Sequence, residues 1–552
     1  MSDYYDLGSY SRPVTTASPE AQTWFDRGLN WAYGFNHEEA VRCFRRAIAA
    51  DPDCAMAHWG VAYSSGPYYN LRWDMMTPEG LRGTVATCHA ALARAEAAAE
   101  RATPVERALI AALQARFPSA TPEGNSADWS DGYANAMREA YRAYDDDPDV
   151  AALFADAMMN RTPWLLWDLP TGQPAEGADT LETMAVLERA LESPAGRAHP
   201  GVLHMYIHLM EMSPFPERAL RAADRLRNLV PDSGHLRHMA THIDILCGHY
   251  HDAVAGNDAA IAADRKFLER EGAMNLYTMS RLHNYHVKLY GAMFLGQEQA
   301  AFEAADAILE TIPRELLERT VPTVMADRLE GFFAIKLHAM VRFGRWQEII
   351  DTPLPEDPEL FCITTAMTHY AKGVAYSATG RVAEAEEEQR RFEDAASRVP
   401  DSRTSGRNPY RDLLAIAREM LAGELEYRKA NYDAAFSHLR RSVELYDGLK
   451  YGEPWSWMQP VRHALGALLL EQGRIEEAEA VYRADLGLDG DLARAHQHPD
   501  NVWSLHGYHE CVMRLGKHDL CGMISQRLEI AAARADVPIA SSCYCRTLAA
   551  AD

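Results

Sequence analysis

Large and small apolar residues alternate along this chain with helical spacing, in paired runs joined by short turns. Between residues 21 and 52, Trp24, Gly28 and Trp31 stand four and three apart, and Ala40, Phe44 and Ala47 repeat that spacing before Pro52. Side chains three and four apart share one helix face. The stretch therefore predicts helix, turn, helix, with small residues where the two helices touch, since antiparallel helices approach closely only where side chains are short. The register recurs as a glycine followed five residues later by a small or apolar residue: Gly248 with Ala253, Gly296 with Ala301, Gly344 with Ile349, Gly380 with Ala385, Gly473 with Ala478 and Gly516 with Cys521. Asn431, Tyr432 and Ala435 form a further copy, and segments ending at Pro148 and Pro231 add more. Residues 117 to 131 and 161 to 178 break the pattern with clustered Pro, Gly, Ser, Thr and Asn and read as loops. The second loop carries Trp164 and Trp167, either pinned on a neighbouring helix or folded over a site.

This pattern resembles the tetratricopeptide repeat (TPR) family, with Gly373, Tyr376 and Gly466 at the family's own Gly and Tyr positions. The resemblance implies an all-α fold, a right-handed superhelical solenoid of about ten helix pairs. Three segments are expected: N-terminal repeats over 1–118, central histidine-rich repeats with loop insertions over 119–310, and C-terminal repeats closing the superhelix over 311–552.

Composition narrows the partners. The 552 residues exceed what one compact core supports, and apolar and charged shares of 47% and 24% leave no block that must stay unfolded. Lys and Arg total 55 against 79 Asp and Glu, a formal charge of -24, which opposes binding to a phosphate backbone. The polar start, Met1 to Thr16, lacks the features of a signal peptide, and no run is long enough to span a bilayer, so a cytoplasmic protein is expected. Nine cysteines, scattered except for Cys543 and Cys545, read as small buried hydrophobes rather than as a disulfide framework.

Ten of the 22 histidines fall between residues 199 and 286. His204, His208 and Glu211 lie on one helix face, and His238 and His242 follow the first two after 34 residues, the repeat length itself. In TPR proteins the second, fifth, ninth and twelfth positions of each first helix face the groove. That register puts His235 second, His204 and His238 fifth, His208 and His242 ninth, Glu211 twelfth, and His283 and His286 second and fifth in the next unit. Helices packed about 8 to 10 Å apart let such imidazoles close around a shared ion. A metal site is one reading; an organic ligand or a structural hydrogen-bond network is the other. The expected ligands are His204, His208, Glu211, His238, His242 and His286, with His235 and His283 as ligands or supporting donors. Histidine-rich sites suit copper or iron, and zinc is possible; two triads would suit a copper pair. By the same count His338, His463 and His506 point inward, with Arg462 and Trp503 beside them, and either line the same cavity or are locally bonded.

Residues 199–264, with 160–170 and 503–507, resemble a group of bacterial TPR proteins that share this histidine-rich block and are described chiefly by their repeats. Ala240 and Thr241 stand where that group would carry proline and serine, a change able to alter the helix between His238 and His242. Together these readings predict a metal-dependent oxidoreductase acting on a small organic molecule, with Glu211 as ligand or proton acceptor. The alternatives are a non-catalytic scaffold binding a peptide or protein in its groove, and a zinc hydrolase. No Gly-rich phosphate loop supports a nucleotide cofactor.

Overall fold

The computed structural model describes residues 4–490 and 492–546 and is helical nearly throughout. Two short antiparallel hairpins interrupt the helices: Trp167–Asp168 with Gln173–Pro174, inside the predicted loop, and Thr404–Ser405 with Asn408–Pro409. Two compact units divide the chain. One comprises Met1–Ile243, Gly256–Asn284 and Glu318–Val324; the other comprises Asp244–Ala255, Tyr285–Leu317 and Met325–Asp552.

In the first unit, α1 (Pro19–Tyr33) starts where the Ser18 side chain accepts from Ala21 N, and α2 (His37–Ala50) starts where Asn36 accepts from Glu39 N. Phe44 of α2 wedges towards α1 and α3 (Ala55–Ser65). A Cβ at Gly28 or Gly60 would stand 2.7 or 2.5 Å from its ring, so both positions need glycine. Further pairs follow, Pro104–Gln114 with Ser126–Ala143 and Pro148–Met159 with Thr180–Glu192. The histidine-bearing segments come next: α4 (Pro200–Met210), α5 (Gly234–His238), α6 (Ala240–Leu246), α7 (Tyr250–Glu271) and α8 (Thr278–Leu295). His238 and His242 thus sit on two short helices that part at Met239. The Thr241 hydroxyl donates to the His238 carbonyl at 2.7 Å, a local alternative to continuous helix bonding.

The second unit repeats the same hairpin: Cys362–Ala378 with Val382–Ser397, Tyr410–Arg428 with Tyr432–Asp447, Val461–Glu471 with Ile475–Asp485, and Val502–Arg514 with His518–Ala532. Its turns use the left-handed region, with φ 76° at Gly380, 73° at Gly473, 66° at Gly516 and 60° at Ala430. Cys543 and Cys545, read from sequence as unpaired, are joined by a disulfide. Among the described residues no helix is long and apolar enough to cross a membrane. Each unit is built of successive helix pairs, an all-α repeat fold.

The Phe44 wedge makes one position a sharp test. Gly60→Ala forces a Cβ against that ring and is expected to cost about 1–3 kcal/mol by overpacking. Gly83→Ala, where nothing lies within 4 Å, is expected to be neutral or mildly stabilising. Urea unfolding followed by circular dichroism checks both, and equal midpoints for the two variants would contradict the wedge.

Candidate metal centre

Helix α4 is buried along its whole length, so its two histidines cannot turn to water. His199 caps it: its Nδ1 accepts from Val202 N at 3.1 Å, and its Nε2 lies 3.1 Å from Asp149 Oδ1, which also takes the Tyr33 hydroxyl. That histidine is thereby committed to holding the helix. His204 and His208 share the inner face, with Glu211 at the helix end, and all three are fully buried.

Each of four inner imidazoles has an acceptor at its outward nitrogen. His204 Nδ1 donates to the Tyr33 carbonyl at 2.6 Å, His208 Nδ1 to Glu211 Oε1 at 2.9 Å, His242 Nδ1 to Glu211 Oε2 at 2.7 Å, and His238 Nδ1 to Asn257 Oδ1 at 2.8 Å. Asn257 is itself oriented by donating its amide to Thr241 Oγ at 3.2 Å. A neutral imidazole carries one proton, so these partners favour its placement on Nδ1 and turn Nε2 inward as an acceptor, the arrangement that orients metal-binding histidines.

The Nε2 atoms converge as two groups. His204, His208 and His235 form one and His238, His242 and His283 the other, with all ligand atoms of a group within 4.8 Å of one another. His204 and His235 Nε2 are 3.2 Å apart, His242 and His283 Nε2 3.3 Å apart, and His238 and His242 Nε2 2.6 Å apart. Three ligands at 2.0–2.1 Å from a tetrahedral ion stand about 3.3 Å apart, so two of these separations match imidazoles around one ion. At 2.6 Å the Nε2 atoms of His238 and His242 are close enough to share a proton or a cation. His208 Nε2 is buried with no hydrogen-bond partner, which is costly without a ligand.

Burial also sets the protonation state. It pushes His204 and His242 down to about 3, and His208 and His235 well below the ordinary value, with the positive charge of neighbouring imidazoles adding to the effect for His204, His208 and His235. These rings are neutral at pH 7, the form that binds metal.

The other expected site residues go elsewhere. His235 and His283, expected as ligands or supporting donors, are members of the two triads, whereas His286 belongs to the second unit and puts Nε2 2.7 Å from Met458 Sδ. One turn of α8 separates His283 from His286, and the earlier position lies level with His238 and His242. Glu211 bridges two imidazoles from their outer side and orients them. Trp164 donates to the Tyr69 carbonyl at 3.1 Å with its ring 5.7 Å from His208, and Trp167 donates to the Leu209 carbonyl at 2.8 Å, so both pin the loop onto its neighbours. In the second unit His463 lies between Asp485 and Arg342, Arg462 pairs with both oxygens of Asp447, and Trp503 donates to the Met293 carbonyl. His338 packs edge-on against Trp457, and His506 is half-buried with Nδ1 unpartnered. Sequence reasoning missed His37 and Phe35, which adjoin the first triad; Phe35 lies 4.4 Å from His204 and stacks on His208 and His235. The readable signal was a phenylalanine five residues before Ala40, where other turns have glycine.

No family model matches the chain, and no curated protein sequence matches it. Among solved structures it is similar to the APC/C hetero-tetramer Cut9–Hcn1, at 12% identity over 94% of this chain and 88% of that one, with a TM-score of 0.29. It is similar to yeast Tom70, at 10% identity over 92% of each chain and a TM-score of 0.25. It is also similar to the P58(IPK) TPR domain, at 11% identity over 90% of this chain and 99% of that one, with a TM-score of 0.20. The expectation of a metal-dependent oxidoreductase acting on a small organic molecule is corrected: nothing that these structures are named for supports it, and the scaffold alternative is the one proposed below. The burial of five of the six triad histidines agrees with that correction, because a substrate would need to reach them.

Two outcomes follow from this geometry. Glu211→Gln leaves one acceptor oxygen for two Nδ1–H groups, so one imidazole must move its proton to Nε2; metal affinity should fall about 10–100-fold, read by competition with a chelator. Unchanged affinity would contradict the bridging role. In metal-stripped protein, His37, His204 and His242 sit near 3 against an ordinary 6.5, so the unfolded state binds more protons. Stability is therefore full above 6.5 and falls as pH drops towards 3; a urea midpoint that rises or stays flat on acidification would contradict this.

Proposed function

We propose that the protein is a non-catalytic helical-repeat scaffold for a protein partner, whose central repeats are braced from within by two transition-metal ions, one per histidine triad. The observation that supports it most is the convergence of the imidazoles into two groups, His204, His208 and His235 and His238, His242 and His283, with the ligand atoms of each group within 4.8 Å of one another. Imidazole ligands suit copper, iron or zinc, and elemental composition distinguishes them. The ligands come from α4, α5, α6 and α8, so an ion in each triad ties together segments far apart in sequence. Cross-linking of this kind stabilises the folded state by the free energy of metal binding. A protein partner follows the pattern of the similar structures, since Cut9 is described with Hcn1 and Naa15 with Naa10.

Elemental analysis of the untagged protein after dialysis tests the brace. Two metal equivalents per chain are expected, with loss of both in a His208→Ala, His242→Ala double variant that keeps most of its helical signal. The stripped protein should melt at a lower temperature than the loaded one. Absence of retained metal after supplementation with copper, iron and zinc in turn would contradict the proposal.

A further inference from the structure

Beside the turn between α1 and α2 lies a cleft of about 680 Å³, lined by Phe35, His37, Ser64 and Tyr68 among others. Four buried polar atoms of its lining residues have no hydrogen-bond partner: His37 Nε2, Ser64 Oγ, Asn36 Nδ2 and Asn275 Oδ1. His37 is only 7% exposed. Its Nδ1 faces the Ser64 carbonyl at 3.2 Å, which puts the proton there and leaves Nε2 bare, as in the triads. Its ring is held flat against Tyr68, with centroids 4.0 Å apart.

Phe35 separates this cleft from the first triad. The same ring that lines the cleft lies 4.4 Å from His204, 5.7 Å from His208 and 5.3 Å from His235. Its backbone has φ 55°, in the left-handed region that bulky residues avoid. Phe35 occupies the position, five residues before a small residue, that is glycine at Gly248, Gly296, Gly380 and Gly473. A phenylalanine kept in a strained position that the other turns give to glycine or, at Ala430, to alanine points to a use for its ring. Glu38 and the exposed Glu79 add negative charge to the cleft, which favours cations.

We propose that this cleft is the port through which divalent metal ions reach the first triad, with Phe35 as its gate and His37 as a transient ligand on the way in. The inference rests on the metal-brace reading. The ion enters the cleft, binds Nε2 of His37, and passes to the Nε2 atoms of His204, His208 and His235 when the Phe35 ring swings aside. Arg42 and Arg45 also line the cleft and oppose cation entry, so the acidic side chains alone do not make the route.

The test is the rate at which metal-stripped full-length chain takes up Zn²⁺ alone, and then yields it to a chromophoric chelator, by stopped flow. Phe35→Gly restores the residue of the other turns and should keep the fold while speeding both uptake and release about tenfold. His37→Phe preserves the stacking on Tyr68 and should slow uptake several-fold with the same final Zn²⁺ content. Rates in both variants equal to those of the native chain would overturn the port while leaving the brace intact. A lower final content in His37→Phe would make His37 a permanent ligand and overturn its transient role. Failure of the native chain to take up Zn²⁺ would overturn the port together with zinc binding at the triads.

Discussion

A neutral imidazole has two nitrogens and one proton, and the centre of this protein depends on where that proton is sent. Tyr33, Glu211 and Asn257 accept hydrogen bonds on the outer side of four histidines. Those acceptors drive the lone pairs inward, where they meet. Everything around them enforces the choice: α4 is buried on all sides, the rings cannot rotate out to water, and burial keeps them uncharged. A cation satisfies several inward lone pairs together, which is the basis of the proposed brace.

Repeat architecture makes that convergence cheap in sequence terms. A spacing of 34 residues puts His238 and His242 at the positions of His204 and His208 on the next stacked element. One carboxylate, Glu211, then serves both levels, taking His208 with one oxygen and His242 with the other. The same burial bears on role. Ligands sealed in the core can hold segments together, and a reacting substrate has no comparable access, which is why bracing is the role proposed for a bound metal.

Much of this was legible in the sequence. Helix pairing followed from the glycine and small-residue register, and the inward histidines followed from the repeat count, because both depend only on neighbours along the chain or one repeat away. The break at Met239 was foreshadowed by Thr241, whose hydroxyl takes the His238 carbonyl. Three features were not legible. His283 rather than His286 completes the second triad, a matter of helix level that spacing does not fix. The acceptors Tyr33 and Asn257 come from elements whose approach is tertiary. His463 and Arg462, read as pocket residues, are held by Asp485 and Asp447, carboxylates that carry no signal in the repeat pattern. The small-molecule oxidoreductase reading failed for a related reason: a cluster of potential ligands says what can be bound, and its burial says what can approach.

The central proposal is that each triad holds an ion through its converging imidazole nitrogens, four of the six rings being oriented by outer acceptors. Crystals of the metal-loaded protein, measured at wavelengths on either side of the absorption edge of the bound element, test it most directly. The account predicts two anomalous peaks per chain, one within bonding distance of Nε2 of His204, His208 and His235 and one of His238, His242 and His283. Peaks confined to surface carboxylates, or triads bridged only by water at full metal loading, would contradict it.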